Sequence, residues 1–179
     1  MKNTNFLNFR KTFIIAELSA NHNGNLDIAI NTIKSAAKAG ADAVKLQTYK
    51  PESMTLNLRS KNFLIDKGIW KGKNLWELYD KAKTPYSWHK KLFKYAKKIG
   101  ITCFSTPFDI EAVDFLENLN CPFYKVASFE FNHFPLIERL IKTKKKIILS
   151  TGTASLSEIS KVVSFLKKKR PKIMQFCIV

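Results

Sequence analysis

The chain has 179 residues, 45% hydrophobic and 12% aromatic, which is enough to bury the core of one domain. Its net charge of +17 (31 Lys and Arg against 14 Asp and Glu) sits mostly in lysine runs such as Lys144-Lys145-Lys146, with no helix-turn-helix, zinc-finger or RRM pattern; this argues against specific nucleic-acid reading and for a solvated basic surface that steers anions. Cys103, Cys121 and Cys177 make neither a disulfide framework nor a zinc pattern, and no run reaches the length of a signal h-region or a membrane span, so a cytoplasmic location without membrane contact is expected.

Strand 1 is expected over about Phe13–Glu17. Asn25 then caps a helix with the apolar face Leu26, Ile30, Ile33, Ala37, closed by Gly40. Strand 2 is Ala43–Leu46. Residues 50–83 break the rhythm with Pro51, Gly68, Gly72 and the aromatics Trp70, Trp76 and Tyr79. They read as an inserted loop over the strand ends, helical around Leu75–Ala82, serving either as a lid or as a packing insertion. Thr84 as N-cap and Pro85 at the first helical position open the next helix, which stops at Gly100. Strand 3 (Ile101–Ser105), a helix from Asp109 to Leu119, strand 4 (Phe123–Val126), a helix over about Pro135–Lys142 and strand 5 (Lys146–Ser150) follow. The capping box Ser155-Leu156-Ser157-Glu158 opens a helix to about Lys168, and strand 6 is Ile173–Cys177.

Strands alternating with helices of this length make βαβ units and a parallel sheet. The turn Asn21-His22-Asn23-Gly24 lacks the G-x-G-x-x-G of a doubly wound sheet. Instead, strand after strand ends in a polar group, as in an α/β barrel whose site lies at the C-terminal strand ends. A closed barrel takes about 250 residues. The expected fold is therefore α/β, an incomplete TIM (β/α)8 barrel of about six parallel strands with five intervening helices. Residues 1–179 are read as the N-terminal portion of a barrel domain whose last two strands lie elsewhere.

Lys45 and Lys125 occupy matching positions on strands 2 and 4, with Thr106, Ser128 and Ser150 supplying hydroxyls. Two ammonium groups among hydroxyls suit a phosphate or carboxylate ligand. Lysine also forms Schiff bases in aldolases, so a covalent mechanism stays open, as does a non-catalytic anion-binding module. Ser150-Thr151-Gly152 could cradle an anion beside a capped helix. Glu17 and Glu130 are candidate general bases or water-positioning groups, and His22, in the loop after strand 1, is a candidate substrate contact. His89 reads as a structural or exposed residue of its helix. No histidine pair has metal-ligand spacing.

Five blocks, in order along almost the whole chain, resemble the sialic acid synthase family. They are Ile14-Ile15-Ala16-Glu17-Leu18-Ser19-Ala20-Asn21-His22-Asn23-Gly24, Gly40-Ala41-Asp42-Ala43-Val44-Lys45-Leu46-Gln47-Thr48-Tyr49, Phe104-Ser105-Thr106-Pro107-Phe108, Tyr124-Lys125-Val126-Ala127-Ser128 and Ile148-Leu149-Ser150-Thr151-Gly152. Within the family, Trp70–Tyr79, Thr84–His89 and Ala127-Ser128-Phe129-Glu130 resemble the pseudaminic acid branch; the neuraminate and legionaminate branches are the alternatives. The resemblance implies condensation of phosphoenolpyruvate with the open-chain aldehyde of an N-acetylated amino sugar, giving a nine-carbon ulosonic acid and phosphate by C–O cleavage. It implies phosphoenolpyruvate binding by Lys45, Thr106, Lys125, Ser128 and Ser150 with Gln47 beside them, and places Glu17 and Glu130 near the reacting carbons. The lysines then act electrostatically, not as Schiff bases. It further implies a divalent, manganese-like metal whose ligands lie outside this chain, a C-terminal antifreeze-like domain, a homodimeric full-length protein, and a 179-residue stretch that is inactive alone.

Overall fold

A computed structural model describes residues 12–152, 154–169 and 176–178. The strands are β1 (Ile15–Glu17), β2 (Ala43–Thr48), β3 (Thr102–Pro107), β4 (Phe123–Val126), β5 (Lys146–Leu149) and β6 (Phe176–Ile178), the last described by its backbone. The helices are α1 (Leu26–Lys38), α2 (Pro51–Met54), α3 (Leu75–Ala82), α4 (Tyr86–Lys98), α5 (Ile110–Asn118), α6 (Phe134–Lys142) and α7 (Leu156–Lys169). All neighbouring strands pair in parallel, and the sheet runs β1-β2-β3-β4-β5-β6.

A sheet whose spatial order repeats its chain order has no switch point. Right-handed crossovers then place the helices that link successive strands on the same face. That is the TIM-barrel-like arrangement expected from the sequence. Side-chain alternation divides each strand accordingly. Val44, Leu46 and Cys103 face the helices and pack with Ala29 and Ile33 of α1 and Leu92 and Ala96 of α4. Tyr124, Val126, Ile147 and Leu149 join Val113 and Leu116 of α5, Leu136 and Leu140 of α6 and Val162 and Leu166 of α7.

Local signals set most boundaries. Asn25 Oδ1 accepts from Asp27 N at 2.8 Å and Asp109 Oδ1 from Ala112 N at 2.6 Å, so both act as N-caps. In the capping box, Ser155 N donates to Glu158 Oε2 at 2.8 Å and Glu158 N to Ser155 Oγ at 3.4 Å. Strands β2 and β3 run two residues further than expected, through Thr48 and Pro107, because their ends pair with each other. β1 is shorter, beginning at Ile15. Residues 173–175 of the expected last strand lie outside the described residues.

Thr84 does not cap α4. Pro85 stands at the N-cap position without a side-chain bond, and the buried Thr84 hydroxyl lies 3.4 Å from His22 Nε2. Tertiary burial overrides the local motif there. The excursion at 50–83 leaves the C-terminal end of β2 and carries α2, a 3-10 turn at Lys61–Phe63, and α3 over the stretch expected to be helical. Asn74 organises it: Oδ1 accepts from Trp76 N at 2.9 Å and Nδ2 donates to Leu58 O at 2.7 Å. Lys50 Nζ, 2.5 Å from Glu111 Oε2, and Ser53, hydrogen-bonded to Asp109, tie its start to α5. Among the described residues no helix is long and apolar enough to cross a membrane.

Candidate functional site

The register alone brings the candidate residues together. Glu17 pairs with Lys45, Gln47 with Thr106, and Lys125 with Ile148, two residues before Ser150. Ser105, which faces the helices, pairs with Tyr124, so Lys125 and Thr106 share the opposite face. Glu17, Lys45, Gln47, Thr106, Lys125 and Ser150 therefore stand at the C-terminal strand ends on the face away from the helices. One level below, Phe104 and Phe123 stack at 4.1 Å between centroids and fill the interior.

Lys45 is 4% exposed, and its Nζ lies 2.7 Å from Glu17 Oε1. The Glu17 side chain is half exposed, so this pair joins a buried cation to a solvated anion. After β4, Ala127 leads into a 3-10 turn, Ser128–Glu130. Ser150 N donates to Val126 O at 3.2 Å and draws the end of β5 to β4. Gly152, at φ +50°, sits directly against Ser128. Two buried polar atoms here, Thr106 Oγ1 and Glu130 Oε2, have no hydrogen-bond partner among the described residues. Buried polar atoms are normally satisfied, so unpartnered ones at the strand ends point to a ligand or to ordered water.

The electrostatics agree. Burial lowers the Lys125 pKa, and the Lys45 ammonium lowers it further; Glu17 and Glu130 only partly oppose them. Burial raises the Glu130 pKa against the pull of its own backbone amide and of Lys125. Lys45 has Glu17 as its countercharge, whereas Lys125 faces the Lys45 ammonium and a reluctant Glu130 carboxyl, a strain that a further anion would relieve.

His22 does not reach this rim. It is fully buried, its Nδ1 accepts from Gly24 N at 3.1 Å, and its ring packs edge-on against Trp88 at 5.3 Å. It shapes the loop after β1 rather than presenting a polar edge to the mouth. Sequence reasoning gave Ser19 no role. At φ +49°, it donates from Oγ to Gln47 Oε1 at 2.9 Å and fixes that carboxamide. Among the described residues, no group of three or more His, Cys, Asp and Glu is placed to hold a metal ion. Of the carboxylates at the rim, Glu17 is engaged by Lys45. These residues do not by themselves form a divalent-metal site.

A one-sided parallel sheet in the order β1 to β6, with a cationic, hydroxyl-rich rim at its C-terminal strand ends, defines an α/β protein of the TIM-barrel-like class. The chain belongs to the NeuB family, whose profile matches residues 32–178. It is 48% identical over 166 residues to the pseudaminic acid synthase of Campylobacter jejuni, covering 93% of this chain and 48% of that protein. Against the N,N'-diacetyllegionaminic acid synthase of the same organism, identity is 38% over 163 residues, covering 91% of this chain and 49% of that protein. The crystal structure of N-acetylneuraminic acid synthetase from Leptospira borgpetersenii, in complex with citrate, superposes with a TM-score of 0.75 at 33% identity, covering 93% of this chain and 54% of that one. The chain spans about half the length of the curated relatives it matches.

Proposed function

We propose that this rim binds phosphoenolpyruvate and that the complete protein condenses it with an open-chain N-acetylated amino sugar, forming a nine-carbon ulosonic acid of the pseudaminic type. The supporting observation is the pairing of two close ammonium groups, Lys45 and Lys125, with the unpartnered Thr106 Oγ1 and Glu130 Oε2. The ammonium groups and the hydroxyls of Thr106, Ser128 and Ser150 take the phosphate and carboxylate. Gln47, held by Ser19, fixes the orientation.

The enol C3 attacks the aldehyde carbon, making one C–C bond, and the aldehyde oxygen takes up a proton to become a hydroxyl. Positive charge develops at C2. A water oriented by Glu130 adds there and gives its proton to that carboxylate, whose raised pKa suits it to accept one. The tetrahedral carbon then expels phosphate by C–O cleavage and leaves the 2-keto acid. Glu17 holds Lys45 in place beside the reacting carbons. A lysine that works as a fixed charge needs no Schiff base. The divalent metal implied by the family resemblance would draw its ligands from outside the residues described, and the complete protein is read as a homodimer. The preference for the pseudaminic acceptor over the legionaminate and neuraminate ones is supported by the higher identity to the pseudaminic acid synthase.

The test is phosphate release by the complete protein with phosphoenolpyruvate labelled with 18O in the bridging position. Label recovered in phosphate, dependent on both substrates and greatest with a diacetamido-trideoxy-altrose, is the expected result. Release without the sugar, or label retained in the keto acid, would refute it. The 179-residue chain is expected to bind phosphoenolpyruvate without turnover.

A further inference from the structure

We propose that His89 is a positioning residue for the anion site, setting the ends of β2 and β3 through a one-way chain of hydrogen bonds to Thr48 and Ser105. His89 lies on α4, on the helix-facing side of the sheet and fully buried. Its Nδ1 is 3.1 Å from Pro85 O. A carbonyl only accepts, so Nδ1 carries the proton. Burial drives the ring's pKa down to about 4, so the imidazole is neutral and Nε2 is bare. Thr48 Oγ1, 2.8 Å from Nε2, must then donate to it. With its proton committed, Thr48 Oγ1 only accepts from Ser105 Oγ at 2.6 Å. In this tautomer the protons run from Ser105 through Thr48 and His89 to Pro85.

The chain matters because of what lies on the other face. Thr48 follows Gln47, Ser105 precedes Thr106, and Gln47 and Thr106 are register partners. Pinning the two helix-facing hydroxyls fixes the peptide units that carry the two site residues. The Gln47 carbonyl also lies against the His89 ring, which Tyr86 and Phe115 hold at 5.7 and 5.3 Å between centroids. Three apolar side chains would fill the same space with no polar desolvation cost, but would not specify register. The hydroxyl–imidazole chain is satisfied in only one alignment of β2 against β3.

The inference rests on the proposed site, and its test separates the two. His89→Phe keeps the ring volume and removes both bonds; His89→Gln retains a donor and an acceptor; Thr48→Val breaks the chain at its middle should His89→Phe fail to fold. In the chain itself, NMR is expected to show the Nδ1–H tautomer of His89, with the Gln47 carboxamide and Thr106 amide resonances displaced in His89→Phe and Thr48→Val and returned by His89→Gln. Calorimetry with phosphoenolpyruvate is expected to show a loss of about tenfold in the first two variants and recovery in the third, the scale of one buried hydrogen bond. Gln47 and Thr106 resonances unmoved in His89→Phe and Thr48→Val, or an Nε2–H tautomer, would overturn the positioning role. Resonances displaced and rescued across these variants, with a wild type that binds no phosphoenolpyruvate, would sustain it and sink the functional reading instead.

Discussion

Gly152 and Ser128 touch so closely that a Cβ on Gly152 would stand 2.2 Å from Ser128 Cβ and 2.8 Å from its Oγ. The glycine also sits at φ +50°, where an L side chain is strained. The contact seats the turn after β5 against the turn after β4 and sets where the Ser128 hydroxyl points. Gly152→Ala must push Ser128 away and is expected to cost ~2 kcal/mol or more in stability. The reading is specific: phosphoenolpyruvate affinity should fall while Ser128→Ala in the Gly152→Ala background brings no further loss. Additive losses would show that Gly152 acts elsewhere.

Lys125 is a cation kept against its own preference. Burial and the Lys45 ammonium both disfavour its charge. Lys125→Met is therefore expected to leave the melting temperature unchanged or raised, while phosphoenolpyruvate affinity drops by roughly tenfold or more. Lys45→Met should weaken binding similarly; its stranded partner Glu17 is half exposed and regains water, so stability changes little. In Lys45→Met the Lys125 pKa should move back toward the ordinary lysine value, which lysine-specific NMR titration reads directly.

Most of this arrangement was legible in the sequence, because each strand ends in a polar residue in the same phase. Lys45 and Lys125 meet at one rim because strand alternation carries phase across a parallel sheet, and phase can be read from residue order. Asn25 and Asp109 cap their helices as their type and place suggest. Thr84 looked equally like a cap, yet its hydroxyl turns toward a buried histidine. His22 followed β1 like a mouth residue but is covered by Trp88 from α4, a contact between segments far apart in the chain. Ser19 escaped because a left-handed serine has no local signature. Its partner, Gln47, is also 28 residues away.

Thr106 offers a hydroxyl that no described residue engages. It is 1% exposed and its Oγ1 has no partner among the described residues. Thr106→Val replaces that hydroxyl with a methyl of similar size and removes an unsatisfied buried group, so unfolding midpoints should hold or rise. Binding should suffer instead, by about 1–3 kcal/mol, since a hydrogen bond to a charged ligand is lost. Calorimetry and denaturant melts on the same samples check both halves. A destabilised variant with unchanged affinity would mean the hydroxyl serves the fold.

Glu130 links the site to pH. Its folded-state pKa is raised above the ordinary 4.5, burial being the first cause. A carboxyl raised on folding contributes its full share of stability below the unfolded value, where both states are protonated. That share is lost as pH rises through the folded value, because the folded state must then hold a charge that it solvates poorly. Glu130→Gln stays neutral throughout. It is expected to melt above the wild type at pH 7 to 8, with the gap closing as pH falls below 4.5. The same substitution removes the proton acceptor for the water at C2, so the complete protein should lose turnover with little change in phosphoenolpyruvate affinity. Thermal melts across pH, paired with phosphate-release rates, separate the two effects. A variant less stable than the wild type at neutral pH would show that the carboxylate is held by contacts stronger than its desolvation, and would remove it as the base.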